Sequence, residues 1–150
     1  MIVFRMRLKN STSMMTEKVR EIIRFVRPNG IANFDVKVAD CKSAFKGRAY
    51  TQGSGYHATA NPFVNVYVGG ERHFPMRSWS GKGYIQSLVL SREEALVHVM
   101  AHELRHLWQK RYSRGMVWGS RGRYSERDAD AYAIHKVREW RSANRMIVGG

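Results

Sequence analysis

His102-Glu103-Leu104-Arg105-His106 is the segment of the chain whose residue types and spacing could do chemistry. On an α-helix a four-residue step turns about 400°, so the two imidazoles project from one face, a turn apart. That spacing lets both bind one Zn2+ at about 2.0–2.1 Å. Glu103 lies about 100° around the helix from His102, beside a metal rather than on it, where it can take a proton from a zinc-bound water. A shuffled chain of this composition yields the pattern about 1% of the time, so its surroundings have to support it.

Catalytic zinc usually has three protein ligands and one open position. Nineteen residues separate His106 from Glu126, the start of Glu126-Arg127-Asp128-Ala129-Asp130. Glu126 completes a His2Glu set if its helix packs against the first. Asp130, one turn further along the same face, is then free to accept a hydrogen bond from the second nitrogen of a ligand histidine. Ala129 and Ala133, four apart, let the two helices approach closely. Asp128 is the fallback ligand, on the opposite side of that helix from Glu126. His98 extends the histidine row, but it lies about 12 Å along the axis from His106, too far to share an ion with it, and is expected to be a packed residue.

H-E-x-x-H followed by E-x-x-A-D resembles the gluzincin branch of the zincin metallopeptidases, over Ala101 to Tyr132. The resemblance implies one Zn2+ per chain held by His102, His106 and Glu126, with Glu103 as general base and Asp130 orienting a ligand. It implies a peptide or protein substrate, extended along an edge strand, for which Phe63–Val68 and Tyr84–Leu90 are the candidates. In size the chain is most similar to minimal gluzincins, and more distantly to SprT-like proteases, which use a third histidine instead of E-x-x-A-D. Metzincins have Gly and His where this chain has Gln109 and Tyr112. No residue clearly matches the oxyanion-stabilising Tyr or His of larger gluzincins; Tyr112, Tyr124, Tyr132 and His135, with Arg121 and Arg123, are candidates by their place in the chain.

These residues need elements to hold them. Ser91-Arg92-Glu93-Glu94 is a capping box that opens a helix to about Arg111, and Ser125 with Asp128 repeats the pattern for a last helix to about Arg141. Upstream, alternation predicts strands at Ile2–Leu8, Phe34–Val38, Phe63–Val68 and Tyr84–Leu90, with a weaker one around Arg48–Thr51. A helix from about Met14 to Arg27, capped by the polar run at 10–13, stops at Pro28-Asn29-Gly30. Gln52–Pro62, the stretch around 70–83 and Tyr112–Tyr124 read as loops. The sum is one α+β zincin-like domain over 1–150: a small mixed sheet, an N-terminal helix, an active-site helix and a C-terminal ligand-bearing helix.

Composition limits the rest. Twenty-six Lys and Arg against twelve Asp and Glu leave a net charge of +14, which points to anionic partners. Eleven of these cations fall between Arg105 and Arg145, and Arg111, Arg114, Arg121 and Arg123 are the candidates for non-specific DNA or RNA binding. One cysteine, Cys41, excludes a disulfide framework and multi-cysteine zinc fingers. It reads as a small buried residue, with a thiolate cap on the zinc as the alternative. Trp79, Trp108, Trp118 and Trp140 read as core, and His57 and His73 as loop residues. The N-terminus meets charge before it builds a signal-peptide core, and no apolar run approaches the roughly 20 residues of a membrane span. The expectation is a cytoplasmic protein, phage or prokaryotic origin included, with no membrane partner; the oligomeric state is not legible.

The leading function is therefore a zinc-dependent metallopeptidase that hydrolyses peptide bonds through a zinc-bound water activated by Glu103. The alternatives are a basic nucleic-acid-associated protein acting on DNA- or RNA-bound proteins, and a non-catalytic binding module stabilised by zinc.

Overall fold

The computed structural model describes residues 5–50, 62–80, 85–113 and 123–148. In chain order the elements are β1 (Arg5–Asn10), α1 (Thr16–Val26), β2 (Asn33–Asp40), β3 (Phe45–Tyr50), β4 (Phe63–Val68), β5 (Met76–Ser80), β6 (Ile85–Val89), α2 (Arg92–Ser113) and α3 (Arg123–Val148). The α+β class expected from the sequence is what they form.

Four strands make a sheet in the order β1-β2-β4-β3, with β1, β2 and β4 parallel and β3 antiparallel at the edge. Period-two alternation divides its residues between two faces. Phe34, Val36, Val38, Val64, Val66 and Val68 are buried on the inner face, against Val19, Ile22, Ile23 and Val26 of α1 and Leu96, Met100 and Leu104 of α2. Each such side chain taken fully out of water stabilises the fold by about 1.5–3 kcal/mol. α3 packs along α2, and Ala129 and Ala133 are fully buried at that seam, as their size requires for close approach.

Several boundaries depart from expectation. β1 runs to Asn10, while 1–4 lie outside the described residues. The polar run does not cap α1. Asn10 instead closes a turn, accepting from the Thr12 backbone at 3.0 Å and donating to the Met14 carbonyl at 2.8 Å, and the cap position falls to Met15. Ser91 does cap α2, accepting from the Glu94 backbone at 3.1 Å. The Glu94 carboxylate reaches back to the Leu90 N–H at 3.0 Å and also binds Arg141 of α3 at 2.9 and 2.5 Å, which pins the two helices together. α3 begins at Arg123, before Ser125, so Ser125 is inside the helix rather than at its cap, and the helix extends seven residues past Arg141.

The loop expected around 70–83 contains β5, which pairs antiparallel with β6 in a separate two-stranded sheet. This corrects one candidate for the substrate edge and moves the other to a separate sheet. β4 is hydrogen-bonded on both sides, by β2 and β3, and β6 is outside the main sheet. The main-sheet edge that borders α2 is β3. Among the described residues no helix is long and apolar enough to cross a membrane.

Candidate metal centre

Both histidines of the H-E-x-x-H segment and Glu126 converge in the α2–α3 seam. His102 Nε2 is 3.1 Å from His106 Nε2, and the two stand 3.2 and 3.0 Å from the two oxygens of Glu126. Donors held at about 2.0–2.1 Å by a tetrahedral ion lie about 3.3 Å from one another. Taking one donor atom from each residue, the three lie within 4.8 Å of one another, close enough to converge on one ion, and two imidazoles with one carboxylate are a donor set suited to Zn2+. This is the one such trio among the described residues.

The outer nitrogens are fixed by a second ring of contacts. His102 Nδ1 is 2.8 Å from Asp130 Oδ1, as the sequence spacing predicts. His106 Nδ1 is 2.8 Å from Gln109 Oε1. The Gln109 amide nitrogen already donates to the Ser125 carbonyl at 2.8 Å and to Asp128 at 2.9 Å. Its oxygen therefore faces the imidazole, and His106 must donate from Nδ1, which leaves Nε2 pointed at the cluster. Asp128 is also held by Arg105 through two bonds, of 2.8 and 3.2 Å, with the guanidinium 3.8 Å from the Trp108 ring centroid. Asp128 is thus a strut between the helices, not the fallback ligand.

Electrostatics follow the contacts. Burial alone would lower the His102 pKa, but hydrogen bonds to Asp130 and Glu126 outweigh it and hold the pKa up at about 10. For His106 burial is likewise outweighed, by Glu126, and the pKa is raised. The two imidazoles hold the Glu126 carboxyl well below the usual range. A metal ligand must be deprotonated, so ion binding at these imidazoles is coupled to proton release. Burial raises the pKa of Glu103, partly offset by the two histidines, and makes it a stronger base than a surface glutamate.

Glu103 lies under β3. A Cβ built on Gly47 would fall 2.8 Å from Glu103 Cγ and 2.8 Å from Val99 Cγ2, so the missing side chain is what lets the edge strand cross the helix at this point. One turn before His102, His98 is buried with its ring edge-on to Phe45 at 5.2 Å, and desolvation, reinforced by the charge of His102, lowers its pKa to about 4. It is the packed residue expected.

Other candidates are placed elsewhere. The Tyr112 hydroxyl donates to the Gly30 carbonyl at 3.2 Å, and Tyr132 donates to Val26 at 2.5 Å, with burial raising its pKa to about 12. His135 pairs with Glu139 at 2.7 Å on the exposed side of α3. None of the three is brought to the cluster, because each lies on a different helical face from the ligands. Tyr124, Arg114, Arg121, Arg123, Trp118 and His57 fall, in whole or in their side chains, outside the described residues. Arg111 is exposed near the end of α2, its guanidinium 5.6 Å from the Tyr112 ring. Cys41 follows β2, its thiol donating to the Ser43 carbonyl at 3.4 Å, away from the trio. Trp140 is buried, its indole N–H donating to Glu93 at 3.0 Å.

Gln109 and Gly47 were not singled out as site residues by sequence reasoning. Gln109 had a local signal, since it stands three residues after His106 on a helix. Gly47 had none, because its contact with Glu103 spans the fold. No protein-family model, curated protein or solved structure matches the chain.

Proposed function

We propose that the protein is a zinc-dependent metallopeptidase with a zincin-like fold, of the gluzincin type. The observation that carries the reading is the convergence of His102, His106 and Glu126 within 4.8 Å, with the outer nitrogen of each histidine engaged by Asp130 or Gln109. His102, His106 and Glu126 would hold one Zn2+. Bound there, the ion supplies Lewis-acid charge, which polarises a carbonyl oxygen and lowers the pKa of a water toward about 7.

The chain's own groups do the rest. Glu103, buried and raised in pKa, takes a proton from the attacking water and delivers it to the leaving amine as the C–N bond breaks. Asp130 and Gln109 keep Nε2 of each histidine facing inward. β3 has no further strand on its outer side among the described residues, and an extended peptide can add there by backbone hydrogen bonds, next to Glu103. A zinc-stabilised scaffold without turnover is the weaker reading, since a structural site has no use for a base buried beside the ligands.

The test is a proteome-derived peptide library incubated with zinc-loaded wild type and zinc-loaded Glu103→Gln. The expected result is cleavage by the wild type and a loss of about 10²–10⁴-fold in the variant, with its zinc retained. Equal cleavage by both would remove Glu103 from the mechanism, and no cleavage by either would leave the scaffold.

A further inference from the structure

The outer face of the main sheet carries a pattern that peptide hydrolysis does not use. Register sets Lys9, Lys37, Asn65 and Arg48 side by side across all four strands. The neighbouring rows add Arg7 on β1 and Lys46 on β3. All five cations are exposed, and the acid among them, Asp35, is paired with Arg7 at 3.4 Å. Like charges opposite one another destabilise a sheet, so this arrangement does nothing for folding.

Aromatic rings lie between the cations. Tyr50 and Phe63 stack with centroids 4.4 Å apart, and the Arg48 guanidinium is 5.5 Å from the Tyr50 ring. Lys46 Nζ is 5.3 Å from the ring of Tyr67, directly opposite it across the β3–β4 pair. The strands are mainly parallel, a type of sheet usually covered on both faces. Here the helices pack on the inner face and the outer face presents charge.

We propose that this outer face is a binding platform for single-stranded nucleic acid. The charge complementarity is with phosphate, and the interleaved rings favour unstacked bases over a duplex, whose bases are closed to them. An acidic polypeptide would satisfy the cations but leave the rings unused. The platform shares β3 with the Glu103 site: Lys46 and Arg48 point outward on either side of Gly47, which faces Glu103. A strand held on one side of β3 would thus bring proteins bound to it near the other. The inference goes beyond the peptidase reading, and its readout needs neither zinc nor cleavage, so the two can fail separately.

The test is fluorescence anisotropy of the full chain with a labelled oligo-dT and a matched duplex between 50 and 200 mM salt. The expected result is preferential binding of the single strand, with log K falling against log salt at a slope of about −3 for four engaged cations. Lys37→Glu with Arg48→Glu should weaken binding at least about tenfold in 50 mM salt and flatten the slope by about 1.4. Arg77→Glu with Arg138→Glu, an equal charge change in the arginine-lined cleft between the β5–β6 hairpin and α3, should weaken it far less. Tyr67→Ala should cost about fivefold or more with the slope kept. Circular dichroism establishes that each variant is folded. Absence of binding at 50 mM salt, tighter binding of the duplex, equal losses from both double variants, or equal competition per charge by polyglutamate would each overturn the proposal.

Discussion

The two sides of β3 carry opposite chemistry. On the inner side, acids that are scarce in a chain of +14 gather in the α2–α3 seam: Glu103, Glu126, Asp128 and Asp130 are all engaged with histidine, arginine or glutamine, or buried beside them. On the outer side, cations repeat along the strands with one acid among them. The excess positive charge and the candidate metal centre therefore occupy separate parts of the molecule. The majority sign describes a surface. The minority sign describes the site, because carboxylates orient His102, complete the candidate His2Glu set and supply the base beside it.

Substitutions on the two sides should therefore differ in kind. Among residues that support the site from behind the ligands, the largest effect is expected at the orienting pair: Asp130→Ala and Gln109→Ala should each weaken zinc affinity about 10–100-fold, measured by competition with a chromophoric chelator. Unchanged affinity in Gln109→Ala would mean that the His106 tautomer is set by something else. Next is Gly47→Ala, whose new methyl group meets Glu103 Cγ and Val99 Cγ2 at 2.8 Å. It should destabilise by about 1–3 kcal/mol in urea titration and slow cleavage while zinc is retained. The smallest effect is expected from Lys37→Ala on the outer face, within about 0.5 kcal/mol in stability and with no change in zinc content.

How much of this was legible in the sequence depended on the range of the interaction. β4 was bounded correctly by its alternation alone, and the Ser91 cap of α2 by a four-residue pattern. His102, His106, Glu126 and Asp130 were legible because helical periodicity puts i and i+4 on one face, and small alanines marked where the second helix could approach. The Asn10 turn was misread as a cap, since the same polar side chains serve either purpose. β5 was missed because a two-stranded hairpin outside the main sheet has little apolar alternation to show. The edge strand was misassigned because strand order is set by long-range pairing: β3, as long as β4 but less apolar, is at the border with α2, while β4 is enclosed. The cationic face was hidden for the same reason. Lys9, Lys37 and Arg48 are scattered in the chain, and only register aligns them.

The proposed function requires that the α2–α3 seam hold one zinc ion through His102, His106 and Glu126. Metal analysis of the purified, zinc-equilibrated chain tests it most directly, with His106→Ala and Glu126→Ala beside the wild type, all confirmed folded. One zinc per chain in the wild type, and its loss from both variants after the same dialysis, is the expected result. A wild type without stoichiometric zinc, or a Glu126→Ala chain that keeps it as tightly, would contradict the claim.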